Sequence, residues 1–335
     1  MSTTPELAVT PEGTTRTGTS LLDLIDAHLY MPFPDARSPY ERDVADGVET
    51  WLRDTGLAAE PGVAEMIART RPADLASRNS PDMDAELLHI VARQIAYQFV
   101  FDDLAEEVGR GRPGRLLPLL HESIAVLRDD ASPDTPLGAA LADLLRQVRE
   151  RCTPAQAARW AWKSREYVHG LLHEAVAQAH TPPAGARLCT SIRALTAGVE
   201  PFHPLCEAAQ PRELTGAELH HPVMRRLTRL SADAAVWIPD LYSAVKERQA
   251  GELINLALVH QRANGCSLPT AVMLAIRQIN AAIREFEERF EDIKPGLSPS
   301  AVGYVDGMAG WIRGCYHWSR TVPRYADTAS TSALP

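Results

Sequence analysis

The chain has 335 residues, 45% hydrophobic and 23% charged, enough to bury a large core and too apolar for a disordered chain. Its formal net charge of −9 excludes a surface built for nucleic-acid backbones or anionic lipid. Five cysteines, an odd number without a CxxC pair, exclude a disulfide framework and a thiolate zinc site and fit a reducing compartment.

Residues 1–19 are rich in Thr, Gly and Pro and are expected to form a disordered tail. They carry no apolar core of signal-peptide length, and no run of about 18 apolar residues follows, so a cytoplasmic protein without a membrane span is expected. MPFPDARSPY (31–40) reads as a proline-punctuated extended stretch, with a helical pattern opening near Tyr40. Leu87, Leu88, Val91, Ile95 and Phe99 then recur at i+3/i+4, and Leu137, Leu141, Leu144 and Leu145 do so after a Ser-Pro-Asp break. The same period runs from Ala271 to Phe290. Breaks are short: GRGRPGR (109–115), ASPDTP (131–136), TPPAGAR (181–187), NGCSLP (264–269) and KPGLSPS (294–300). No strand-like alternation and no internal repeat appear. These features predict an all-α fold of about ten or more helices in one domain over 20–326, with a flexible tail at 327–335.

ARQIAYQFVFDDLAEEVGRGR continues an apolar stripe into acids. Ile95 and Phe99 share a helical face, Asp102 and Asp103 fall at i+3/i+4 from Phe99, and Glu106 follows one step on. Inward-facing carboxylates repel one another and resist desolvation, and a hard divalent ion such as Mg²⁺ removes both costs. The alternative is a helix that emerges into water after Phe101. In AVWIPDLYSAVKERQAGELINLALVH, Asp240, Ser243 and Glu247 stand at i, i+3 and i+7, an oxygen-ligand set on one face. Lys246 and Arg248 flank it; a surface helix with ordinary charge pairs is the competing reading. Arg193 stands in SIRALTAG, and Arg324 with Tyr325 closes HWSRTVPRY; the arginine fork suits phosphate oxygens.

Together these residues resemble bacterial class I terpene synthases over about 31–325. MPFP (31–34) is similar to the family's proline-phenylalanine-proline start, and FVFDDLAEE to its DDxx(D/E) motif, with Asp102, Asp103 and Glu106 at the acidic positions. Arg193 stands where the family keeps its diphosphate sensor. PDLYSAVKE is similar to NDxxSxxx(K)E, and GMAGWIRGCYHWSRTVPRY to the tryptophan-rich last helix with its Arg-Tyr pair. Two departures stand out. Pro239 replaces the motif's Asn and supplies no side-chain ligand, so it should kink the helix or mark a new start, and Asp240 is the candidate substitute ligand. Thr196 and Ala197 stand where an acidic linker and a small effector residue belong, with Gly198 one step late.

The resemblance implies an apolar cavity and ionisation of a linear prenyl diphosphate, farnesyl diphosphate before geranylgeranyl diphosphate, followed by cyclisation. It implies Mg²⁺, three ions in the closed complex, with Asp102, Asp103, Glu106, Asp240, Ser243 and Glu247 as metal ligands. Arg193, Arg324 and Tyr325 would act on the leaving diphosphate and Lys246 would bind it. Phe99, Phe202, Trp237, Trp311 and Trp318 are the expected aromatic wall, ahead of Tyr97 and Tyr304. No nucleic-acid or membrane partner is expected, and a homodimer stays open. A chain-elongating prenyltransferase needs a second aspartate-rich motif that is missing here. An isoprenoid-diphosphate-binding homologue with weak catalysis is the alternative raised by Pro239.

Overall fold

The computed structural model describes residues 20–130, 132–180 and 185–325, and among them there are helices and turns but no strand. The tails expected at 1–19 and 327–335 lie outside the described residues. In chain order the helices are α1 (Leu21–His28), α2 (Glu41–Asp54), α3 (Val63–Thr70), α4 (Pro72–Asn79) and α5 (Ala85–Gly109). Then come α6 (Leu117–Arg128), α7 (Pro136–Arg151), α8 (Pro154–Ala179), α9 (Ala186–Thr196) and α10 (His203–Ala208). The rest are α11 (Gly216–His220), α12 (Pro222–Ala250), α13 (Leu256–Asn264), α14 (Leu268–Ile293) and α15 (Pro299–Thr321), before a last 3₁₀ turn at Pro323–Tyr325.

Local chemistry sets these boundaries. Thr135-Pro136, Thr153-Pro154 and Ser298-Pro299 each place a hydroxyl cap before a proline at the first helical position. The hydroxyl accepts an otherwise unpaired N–H, and proline has no N–H there to lose. Asp84 caps α5 by accepting from Leu87 N at 2.9 Å. Gly251 and Gly265 end α12 and α13 at φ 78° and 59°, a backbone that a side chain disfavours.

Helix α12 is the central pillar, packed against α14 and α15, while α15 also packs on α4. From Leu230 to Val245 every residue except Pro239 is buried. The helix runs unbroken through Pro239, so the new start anticipated there does not occur. Each large apolar side chain buried along α12 contributes roughly 1.5–3 kcal/mol, and several of them outweigh the ~3 kcal/mol that an interior proline costs. Where α15 crosses α4, a Cβ on Gly310 or Gly314 would run into the Asn79 backbone, so only glycine permits this approach.

The 31–34 strap is fastened to α14. Tyr30 N donates to Asn280 Oδ1 at 2.8 Å, and Phe33 meets the Phe286 ring edge-on at 6.2 Å. No single described helix is long and apolar enough to cross a membrane.

Candidate active site

Helices α5, α8, α9, α12 and α15 surround a cavity of about 410 Å³. A wider groove of about 780 Å³ lies between α2 and α3–α4 and contains none of the anticipated site residues. The central cavity contains most of them. Asp102 and Glu106 reach it from α5, Arg193 from α9, Ser243, Lys246 and Glu247 from α12, and Arg324 and Tyr325 from the last turn.

The wall is aromatic and apolar. Phe202 lies 4.2 Å from Trp311, and Phe99 stacks on Trp318 at 5.8 Å, centroid to centroid. Ile95, Tyr167, Leu171, Val199, Ala235 and Val236 complete it. Trp237 is buried but absent from the wall, where Ala235, Val236 and Pro239 stand instead. Side chains two apart on a helix point to different faces, which removes Trp237 from the expected substrate contacts.

The acids of α5 differ in their surroundings. No described side chain hydrogen-bonds Asp102; burial pushes its carboxyl up to about 6, opposed by Arg193, with Asp103 adding repulsion. Asp103 is off the wall, pairing with Arg324 at 3.2 Å, and Arg324 in turn covers the Phe99 ring at 5.5 Å. Glu106 pairs with Arg110 one turn on. Across the mouth, Glu252 is pushed up to about 7 by burial and by the charges of Glu106 and Glu247.

Asp240, expected among the metal ligands, is not on the cavity wall. Its side chain is fully buried, takes Arg193 Nη2 at 2.7 Å and Nε at 3.0 Å, and accepts Leu256 N at 2.8 Å. Its oxygens are already committed, so it acts as a strut that orients Arg193. Asp240 holds the Arg193 guanidinium charged against the cost of burial.

Three residues of this neighbourhood escaped the sequence reading. Asn255 is fully buried; its Oδ1 accepts from Ala257 N at 2.9 Å and Leu258 N at 3.2 Å. Its Nδ2 donates to Asp240 O at 2.9 Å, Glu247 Oε2 at 2.9 Å and Ser243 Oγ at 3.3 Å. An Asn directly before the apolar run LALV is a helix-start signal, but nothing in the sequence points it at Glu247. Glu174 lines the cavity from α8, its carboxyl pushed up to about 8 by burial and relieved in part by Arg193. Gln98, one turn before Asp102, interrupts the apolar stripe and does face the cavity.

This arrangement fits a divalent cation shared with a bound anion. Among the described residues no three His, Cys, Asp or Glu side chains cluster tightly enough to hold a metal by themselves. The oxygen ligands instead stand on two sides of the cavity, with the cationic groups Arg193, Lys246 and Arg324 on the same walls. Asp102, desolvated and without a hydrogen-bond donor, is a carboxylate that a hard cation would stabilise.

Residues 94–285 match the family described as terpene synthase family 2, C-terminal metal binding. The chain is 68% identical over 313 residues to (−)-alpha-amorphene synthase ((2E,6E)-farnesyl diphosphate cyclizing) of Streptomyces viridochromogenes, covering 93% of each chain. It is 31% identical to (+)-T-muurolol synthase ((2E,6E)-farnesyl diphosphate cyclizing) of Roseiflexus castenholzii, covering 92% of this chain and 96% of that one. The crystal structure of germacradien-4-ol synthase from Streptomyces citricolor superimposes with a TM-score of 0.78 at 26% identity, covering 88% of this chain and 98% of the other.

Proposed function

The chain belongs to the class I terpene synthases, and from that premise we propose that it ionises (2E,6E)-farnesyl diphosphate and cyclises the cation to a sesquiterpene. The 68% identical relative is named for farnesyl diphosphate, as is the T-muurolol synthase. Neither name supports the geranylgeranyl alternative.

The observation that carries this reading is the shared cavity: Asp102 from α5 and Ser243 with Glu247 from α12 line the space into which Arg193, Lys246, Arg324 and Tyr325 also project. Asp102, Ser243 and Glu247 would hold Mg²⁺, three ions in the closed complex, with Glu106 nearer the mouth. When bound, the metal supplies Lewis-acid stabilisation of the diphosphate oxygens. The protein's own part is distinct. Arg193, Lys246, Arg324 and Tyr325 donate hydrogen bonds that strengthen as charge builds on the leaving group. Asp240 keeps Arg193 aimed, and Asp103 does the same for Arg324. Phe99, Phe202, Trp311 and Trp318 exclude water and offer ring faces to the cation.

A second reading, a diphosphate-binding homologue with weak turnover, draws support from the α12 side. Pro239 supplies no oxygen, Asp240 faces Arg193, and Asn255 turns its nitrogen toward Ser243 and Glu247. Incubation with geranyl, farnesyl and geranylgeranyl diphosphates plus Mg²⁺, read by diphosphate release and gas chromatography, separates the two. Cyclic hydrocarbon or alcohol from farnesyl diphosphate is the expected result; binding without release from any of the three favours the second reading.

A further inference from the structure

Gln98 is the uncharged amide in an otherwise aromatic and aliphatic part of the wall, between Ile95, Phe99, Tyr167, Val199 and Phe202. Its Nε2 donates to Gly198 O at 2.9 Å, just beyond the end of α9. Gly198 has φ 63°, and a Cβ there would sit 3.0 Å from Cδ, Nε2 and Oε1 alike, so the carboxamide lies flat against the glycine. This contact decides which way the amide points. A main-chain carbonyl only accepts, so the nitrogen must face it; the flipped amide would set two acceptors together. No described donor pairs with Oε1, and Oε1 is not sealed among the buried, unpaired atoms of the core.

We propose that Gln98 is a specificity-determining residue: its Oε1, oriented by Gly198, faces the cyclising carbocation and favours the intermediates whose charge lies beside it. This rests on the reading of the chain as a farnesyl diphosphate cyclase. An amide oxygen is the negative end of a strong dipole, and in a dry cavity its attraction for a cation is much larger than in water. Because the amide is fixed before reaction, it need not reorganise as charge appears. Aromatic faces attract a cation over a broad area, whereas one fixed oxygen distinguishes among positions, and that bears on where a migrating charge rests and where a proton leaves.

The test uses Gln98→Leu and Gln98→Met, which keep bulk and remove the acceptor, with melting temperatures to identify a variant that fails to fold. Calorimetry would compare a tertiary-ammonium farnesyl-chain analogue with its neutral hydrocarbon isostere, each in the presence of inorganic diphosphate and Mg²⁺. The ammonium affinity should fall about tenfold and that of the neutral isostere should hold. With farnesyl diphosphate, kcat should fall about tenfold at constant KM, and gas chromatography should show a shift toward earlier-terminated products. Unchanged product ratios with unchanged ammonium affinity would overturn the proposal. So would an equal loss for both isosteres, which is the signature of packing alone. If the wild-type enzyme released no diphosphate from farnesyl diphosphate, the functional reading would fail, yet the ammonium comparison needs no turnover and would still decide the role of Gln98.

Discussion

The α5 and α12 sides of the cavity are wired in opposite ways. On α5, Asp102 has neighbours of both signs but no hydrogen-bond donor; burial pushes its carboxyl up to about 6 and does the same to Asp240, so the hydrogen-bond partners make the difference. On α12, Asp240 is tied to Arg193 and Leu256, while Asn255 holds both Ser243 and Glu247. Asp102 thus faces the cavity with its oxygens uncommitted, whereas those of Asp240 are taken within the protein. The difference teaches that an acid placed by a motif can be left open toward the cavity, as Asp102 is, or claimed by a neighbouring helix, as Asp240 is by Arg193.

Neutralising each side should therefore have different consequences. Asp102→Asn should lower kcat/KM for diphosphate release about 10³-fold, roughly 4 kcal/mol of transition-state stabilisation. It should leave the metal-free protein at least as stable, since a desolvated charge is removed. Asp103→Asn should cost far less, because Asp103 acts through Arg324. Equal, mild losses in the two variants would deny Asp102 its leading role.

On the α12 side the order reverses. Asp240→Asn leaves the Arg193 guanidinium buried without its counter-ion, and metal-free urea unfolding should register a loss of about 3–5 kcal/mol. Were Asp240 a metal ligand, the metal-free protein would hardly notice the change.

Glu174 tests whether burial also strains the α8 wall. Its folded pKa of about 8 lies above the ordinary 4.5, so the folded state binds a proton that the unfolded chain releases. Its contribution is full below about 4.5 and is lost as pH rises through about 8. The metal-free melting temperature should therefore decline between pH 5 and pH 8, and Glu174→Gln should flatten that decline by several degrees. Parallel profiles for the two proteins would show that Glu174 is solvated like a surface carboxylate.

The helical plan was legible because apolar spacing and proline punctuation act locally. The breaks at 109–115 and 264–269 coincide with the ends of α5 and α13, and MPFP is a non-helical strap. Of the residues the resemblance implied, Asp102, Arg193, Ser243, Glu247, Arg324, Phe99, Phe202, Trp311 and Trp318 were found on the cavity wall. Asp240 and Trp237 were not, because a helical wheel gives a face and not its partner. Asp240 and Ser243 are three residues apart on α12, yet Arg193 arrives from α9 to claim the first alone. Gln98, Glu174 and Asn255 stayed hidden because their meaning depends on contacts from Gly198, Arg193 and Glu247, between 8 and 100 positions away in the chain for the hydrogen-bonded pairs.

Pro239→Asn has the smallest expected effect, and it probes the asymmetry directly. Pro239 lines the cavity and sits inside an unbroken helix, so asparagine there would restore a backbone N–H and add a carbonyl oxygen. Asn255 does not already supply that oxygen. Flipping its amide would set a nitrogen against the N–H groups of Ala257 and Leu258 and withdraw the donor from Glu247. The α12 side is thus one oxygen short, and the variant should lower the Mg²⁺ concentration for half-maximal diphosphate release by about three- to tenfold, 0.6–1.4 kcal/mol of added metal affinity. The metal-free melting temperature should also rise, because an interior proline is removed. A higher melting temperature with an unchanged Mg²⁺ requirement would mean that Ser243, Glu247 and the substrate's own oxygens complete the coordination, and that proline at this position costs the enzyme only stability.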